Sequence, residues 1–134
     1  MVGDRNLNRA TAQIERAQAD KRLRPSIAGF FDEATNTVSY VVHDPKTGEA
    51  AIIDSVLDFD AASGRTSNGS ADRMIEYVTS NNLKVTWLIE THAHADHISA
   101  APYLQERLGG KLAIGCDIIR VQEVFGKLFN AGTD

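Results

Sequence analysis

The chain has 134 residues, 14 basic and 18 acidic side chains for a formal net charge of −4, and a hydrophobic fraction of 43%. These are the proportions of one folded domain with a real core and exclude a chain disordered throughout. No apolar run approaches the ~20 residues of a helical membrane span, and the single cysteine, Cys116, excludes an internal disulfide or a cysteine-based zinc cluster.

Residues 1–25 hold six basic and three acidic side chains, a balance of +3, while the remainder stands at −7. The segment reads as a basic, solvated helical leader with Leu7, Ala10, Ile14 and Ala17 as a thin apolar stripe. Its acidic residues argue against a mitochondrial targeting segment, and it lacks the apolar stretch of a secretion signal. The acidic body is a poor nucleic-acid surface, because phosphate contacts need clustered Lys and Arg. With one cysteine and neither a membrane span nor a secretion signal, the expected compartment is the cytoplasm.

Pro25 ends the leader. Ile27–Phe31 and Thr37–His43 then read as strands joined by the turn Asp32-Glu33-Ala34-Thr35-Asn36, and Asp44 to Gly48 forms a second turn. Ala50–Asp54 is a short buried strand ending on a carboxylate. Ser55 to Gly69 is expected as a long polar connection. Ser70 is the expected cap of a helix with Ala71, Met74, Ile75 and Val78 on one face, stopped by Asn81-Asn82. Val85–Ile89 is almost continuously apolar, which predicts a central strand covered on both faces with Trp87 in the core. Ser99 caps the next helix, Pro102 sits in its first turn and Gly109-Gly110 end it. Lys111–Ile114 is a further strand, and Asp117 caps a last helix with Ile118, Val121, Phe125 and Leu128 inward. The predicted order is β-β-β-α-β-α-β-α, an α/β layering.

The chemistry lies in Thr91-His92-Ala93-His94-Ala95-Asp96-His97, which holds three of the four histidines. It follows the central strand, and open α/β sheets place ligands beyond the C-terminal ends of their strands. In an extended segment His92 and His94 point the same way and reach one ion together, with small alanines between. Asp96 and His97 diverge from that pair and serve a second ion. Imidazole and carboxylate suit zinc, iron or manganese rather than calcium. Histidine pairs also occur as plain surface residues, but four potential ligands in six residues at a strand end favour metal binding. Cys116, His43, Asp58 and Asp60 read as packing, turn and loop residues, and Gly109-Gly110 as a helix stop.

The run Thr-His-x-His-x-Asp-His resembles the signature of the metallo-β-lactamase superfamily. Phe31 to Thr37, Ala51 to Asp54, Val56 to Asp60, the histidine run and Val121 to Gly126 resemble its persulfide (sulfur) dioxygenase branch, a relative of glyoxalase II. The resemblance implies an α/β fold: the N-terminal half of a four-layer αββα metallo-β-lactamase sandwich, preceded by a short helix. It divides the chain into a leader at 1–25 and an incomplete metallo-β-lactamase-like domain at 26–134.

The resemblance also implies a site. Dinuclear members bind one ion through the positions of His92 and His94 and another through those of Asp96 and His97, and the ions lower the pKa of a bridging water. Asp54 matches an aspartate that supports the metal loop from behind. The persulfide dioxygenases hold one Fe(II) through the position of His92 together with a later histidine and a later aspartate, and convert glutathione persulfide and oxygen to glutathione and sulfite. The expected cofactor is Fe(II), with Zn(II) as alternative, and the expected partner is glutathione persulfide or another glutathione-derived thiol. The alternative functions are a glyoxalase II-like thioester hydrolase and a non-catalytic metal-binding remnant or interaction module. No histidine follows His97, so only the family's first half is matched. The expectation is a truncated product or fragment, weakly active or inactive alone, that can self-associate through an uncovered sheet face.

Overall fold

The computed structural model describes residues 2–131. Helix α1 (Val2–Ala19) leads through a 3₁₀ turn (Lys21–Leu23) into strands β1 (Ser26–Asp32), β2 (Thr37–His43), β3 (Glu49–Ile53), β4 (Val56–Asp60) and β5 (Arg65–Ser67). Helix α2 (Gly69–Ser80), β6 (Lys84–Glu90), β7 (Ile98–Ser99), α3 (Ala101–Leu108), β8 (Lys111–Ile114) and α4 (Ile118–Phe129) follow. The predicted strands and helices are all present, within one or two residues at most of their ends. No helix among the described residues is long and apolar enough to cross a membrane.

The main sheet has the order β1-β2-β3-β6-β8. Its first two pairings are antiparallel, as the two hairpins dictate, and β3–β6 and β6–β8 are parallel through helical crossovers. One face carries the core. Ala71, Met74 and Val78 of α2 and Ala101 and Leu104 of α3 pack on Val41, Ala50, Ile52, Val85 and Leu88. Burying each of the larger side chains contributes about 1.5–3 kcal/mol.

The opposite face is open. Ile27, Phe31, Val38, Tyr40 and Trp87 are exposed large hydrophobics, and strand pairing sets Phe31 beside Val38 and Ile27 beside Val42. The central strand is therefore covered on one face only. Trp87 is 43% exposed rather than core, with the Lys111 amine 5.6 Å from its ring centroid.

Two further expectations are corrected. The polar stretch after Ser55 is not a bare loop: β4 and β5 form a hairpin, and β4 also pairs with β7, giving a second sheet of order β5-β4-β7. The short strands are rich in Asp, Ser and Thr, so alternation gave no signal. In α4, Phe125 and Leu128 are exposed, and none of its residues is buried. Its amphipathic pattern is real, but no apolar surface of the described residues covers that stripe. Helix capping also shifts: Asn68, not Ser70, stands at the start of α2.

A bulge decides what the end of β6 presents. Ala50 pairs with Val85 but Ala51 pairs with Trp87, so Thr86 is the extra residue. Its hydroxyl donates to the Ala50 carbonyl at 3.1 Å. Strict alternation from Val85 would send Leu88 and Glu90 to the open face. The inserted residue reverses the parity, so Leu88 enters the core and Glu90 comes out on the helix-covered side.

Two outcomes test this packing. Leu104 is fully buried and Leu128 is 69% exposed. Leu104→Ala should therefore cost about 2–5 kcal/mol in urea unfolding, and Leu128→Ala less than about 0.5 kcal/mol. In the β1–β2 turn, Asp32 Oδ2 accepts from the Thr35 hydroxyl at 2.7 Å and its amide at 2.9 Å. The Thr35 hydroxyl thereby holds the Asp32 carboxyl below its ordinary range despite some burial. A depressed folded pKa stabilises above the unfolded value and loses that contribution as pH falls through the folded one. Thr35→Val should lower stability by about 0.5–1.5 kcal/mol near neutrality. Its gap from wild type should close on acidification below about pH 4, and the closure should vanish in an Asp32→Asn background.

Candidate metal centre

The site forms where β3 and β6 end side by side. Asp54, the residue after β3, takes a left-handed backbone (φ 51°), a conformation that Asp adopts more readily than most residues. Its amide donates to the Ile89 carbonyl at 2.9 Å, and the Ser39 hydroxyl donates to its carbonyl at 2.7 Å. Its carboxylate is thereby aimed across the end of β6. Oδ1 accepts from the Thr91 amide at 2.7 Å and Oδ2 from the Thr91 hydroxyl at 2.8 Å, while His94 Nε2 lies 3.0 Å from Oδ1. Burial opposes the charge on Asp54, but the Thr91 amide, the Thr91 hydroxyl and His94 outweigh it and hold the carboxyl below its usual range.

The loop from Thr91 to His97 is bent rather than extended. The His92 and His94 ring centroids are 4.3 Å apart and those of His94 and His97 are 4.1 Å apart. His94 is therefore the middle of a row of imidazoles, and His97 does not diverge from it at the turn as the sequence predicts. Asp96 does turn outward: it is 53% exposed at the side chain and accepts from the Thr37 hydroxyl of β2 at 2.8 Å. The Thr37 hydroxyl, the residue's own backbone amide and His97 hold its carboxyl down at about 2. His92 is exposed, with Nδ1 2.8 Å from the Thr91 hydroxyl.

Glu90, which the sequence reading passed over, completes the cluster. The bulge in β6 brings its carboxylate to the histidines, with Oε2 3.1 Å from His94 Nε2. Ser99 donates to Oε1 at 2.6 Å and itself accepts from the Ala101 amide at 3.0 Å; Ala100, not the expected Ser99, is the N-cap of α3, and Ser99 one residue earlier orients Glu90. Burial pushes the Glu90 carboxyl up despite the Ser99 bond. The available signal was an acid at the end of a buried strand, one residue before the histidine run.

Ligand atoms of Glu90, His94 and His97 all lie within 4.8 Å of one another. Both His97 ring nitrogens and Glu90 Oε2 are buried without a hydrogen-bond partner. His97 Nδ1 stands 3.4 Å from Asp96 Oδ2, and neither this approach nor that of Glu90 to His94 has hydrogen-bond alignment. Buried polar atoms without partners are rare and costly. Imidazole nitrogens and a carboxylate oxygen converging in this way are the donor set of a divalent transition-metal ion, and the residues present fit such an ion. Beside them opens a cleft of about 740 Å³, walled by Asp96, His97 and Ile98 on one side and by Leu57, Phe59 and Arg65 of the β4–β5 hairpin on the other.

Gly115 backs the loop. Its amide donates to the Glu90 carbonyl at 3.2 Å, and a Cβ there would stand 2.7 Å from the Thr91 carbonyl oxygen. Gly115→Ala should force that segment to shift. A loss of about 1–3 kcal/mol is expected in denaturant unfolding, with amide chemical-shift changes concentrated between residues 91 and 97.

The profile of the metallo-β-lactamase superfamily matches residues 32–123. The chain is 59% identical over 107 residues to a probable metallo-hydrolase of Burkholderia pseudomallei, covering 80% of this chain and 36% of that protein. It is 41% identical over 108 residues to Glyoxylase B2 of Dictyostelium discoideum, covering 80% and 37%. It is 30% identical over 81 residues to the mitochondrial persulfide dioxygenase ETHE1 of Bos taurus, covering 60% and 28%. The crystal structure of ETHE1 from Myxococcus xanthus superposes with a TM-score of 0.54 at 31% identity, over 65% of this chain and 34% of that one. The chain thus spans between 28% and 37% of the length of these curated relatives. With a profile match over most of its length and a histidine cluster at the end of the central strand, the chain belongs to the metallo-β-lactamase superfamily.

Proposed function

We propose that the protein in its complete form is a metal-dependent persulfide dioxygenase, oxidising glutathione persulfide to sulfite with dioxygen, and that the 134 residues alone carry little or none of that activity. One observation carries the reading: the His97 imidazole and a Glu90 carboxylate oxygen, both without hydrogen-bond partners, converge with His94 at the end of β6, in a chain 30% identical over 81 residues to a persulfide dioxygenase. His92, His94, Asp96 and His97 are the residues proposed to serve the metal, and Asp54 the residue that fixes their loop. Fe(II) is the proposed ion, and when bound it supplies the redox and Lewis-acid chemistry that the reaction needs.

The chain's own residues do the positioning. Asp54 holds Thr91 and His94 in place, and Ser99 holds Glu90. The adjoining cleft offers apolar Leu57, Phe59 and Ile98, with Arg65 and the carboxylates of Asp32, Asp58, Asp60 and Asp96 also on its lining, a surface for a small organic thiol. In the proposed reaction the outer sulfur of the persulfide is oxidised and dioxygen is reduced; water enters, and glutathione and sulfite leave. The exposed single cysteine suits a reducing compartment, here taken as the cytoplasm.

A second reading is a thioester hydrolase, favoured by the 41% identity to Glyoxylase B2 over 80% of the chain. Zn(II) would then be the ion and an acyl-glutathione the substrate. An oxygen electrode separates the two. Iron-loaded protein expressed from its own gene should consume oxygen on addition of glutathione persulfide, and chelation should return the rate to background. Zinc-loaded protein that cleaves a glutathione thioester without oxygen uptake, with no persulfide oxidation by the iron form, would establish the second reading instead.

A further inference from the structure

We propose that Thr37 is a positioning residue of the metal centre: its hydroxyl fixes the Asp96 carboxylate, taking one oxygen and leaving the other, Oδ1, for an ion. The inference rests on the metal-dependent reading above, in which Asp96 serves the metal. It gives strand β2, far from the histidine run in sequence, a part in the site.

The backbone that carries Thr37 is held on both sides. Strand β2 begins directly after Asn36, whose left-handed backbone (φ 56°) closes the β1–β2 turn. Asp32 secures that turn through Thr35, and Thr37 pairs with Asp32 at the end of the ladder. Residues two apart in a strand share a face. Thr37 therefore stands on the same face as buried Ser39 and Val41, while Val38 and Tyr40 point to the open side. Two hydroxyls thus lie at i and i+2 on the helix-covered face. That of Ser39 donates to the Asp54 carbonyl at 2.7 Å, and that of Thr37 to Asp96 Oδ2 at 2.8 Å, across 59 residues of sequence. One strand holds both aspartates of the site.

Asp96 needs such a hold. Its side chain is 53% exposed, and an aspartate facing solvent is free to exchange rotamers. With Oδ2 taken by Thr37, Oδ1 faces His94 Nδ1 at 3.9 Å, too far for a hydrogen bond between them. The neighbouring groups are arranged in the same way. Asp54 lies 3.0 Å from His94 Nε2 and leaves Nδ1, and the Thr91 hydroxyl lies 2.8 Å from His92 Nδ1 and leaves Nε2. Metal-binding side chains are commonly fixed by a hydrogen bond to the atom that does not face the ion. For Asp96 that bond comes from Thr37.

Two measurements on the 134-residue chain test the assignment. The first uses no metal: NMR three-bond couplings to the Asp96 Cγ, which read its χ1 rotamer. The wild-type chain and Thr37→Ser should hold one rotamer, and Thr37→Val should average over several. The second is zinc titration against a competing chelator. Thr37→Val should weaken binding on the order of 10-fold, and Thr37→Ser, which keeps the hydroxyl, should stay within a few-fold. The loss from Thr37→Val should vanish in an Asp96→Asn background, which a general loosening of the loop would not do. Rotamer averaging in the wild-type chain, undiminished zinc binding by Thr37→Val, or an equal loss with and without Asp96 overturns the proposal and leaves the metal-dependent reading standing. A wild-type chain that fixes Asp96 yet takes no zinc overturns both.

Discussion

The bond from the Thr91 amide to the Asp54 carboxylate is the contact on which the site depends. Where β6 ends, the backbone loses its neighbours in the sheet, and the next amide needs an acceptor. Asp54 supplies one at 2.7 Å and takes the Thr91 hydroxyl as well. It does so from a left-handed backbone that itself costs on the order of 1–3 kcal/mol and persists only where surrounding bonds over-determine it. Those bonds exist: Ser39 of β2 holds its carbonyl and Ile89 of β6 its amide. One aspartate thus ties two strands of the sheet to the first turn of the histidine loop, and the loop inherits the rigidity of the sheet.

That rigidity keeps the cluster from relaxing. On a loose loop, His97 would rotate to solvent and Glu90 would find a donor. Here the Ser99 bond on Glu90 and the close approach of Gly115 to Thr91 hold the groups facing one another. Each unsatisfied buried polar atom costs about 1–3 kcal/mol. An ion that binds only the folded chain offsets that cost by mass action, as any native-state ligand does. The unmet hydrogen-bonding capacity of the cluster and its fitness for an ion are one property.

Much of this was legible from the sequence, for definite reasons. The strands of the main sheet and the helices that cover it are marked by apolar periodicity and by Pro, Gly and Asn punctuation. The histidine run is dense enough to stand out from chance. Three things were not legible, and each has a physical cause. In the β4–β5 hairpin only Val56 and Leu57 at the start of β4 reach the core, while Asp58 to Asp60 and all of β5 are short and lack a buried face, so their pairing leaves no alternation to read. The exposure of Trp87, Phe125 and Leu128 reflects missing neighbours, and a hydrophobic pattern cannot say whether a neighbour is present. The role of Glu90 hinges on one inserted residue, Thr86, and a run of apolar residues gives no parity from which to read a bulge. The same run suggested cover on both faces because its length and composition match a doubly covered strand.

The bulge also separates two properties of the fold that would otherwise compete. Along β6, Ile89 points with Trp87 toward the open apolar face, as its pairing with Ile53 shows, whereas Glu90 points with Leu88 toward the helices. The apolar surface that invites a covering layer and the carboxylate that faces the imidazoles therefore lie on opposite sides of one strand. A layer packed on Ile27, Phe31, Tyr40 and Trp87 would bury apolar area without displacing Ser99 from Glu90. The rim has its own access route, the cleft between the histidine loop and the β4–β5 hairpin. The open apolar face and the carboxylate at the sheet's edge lie apart because the bulge at Thr86 sets the direction of Glu90.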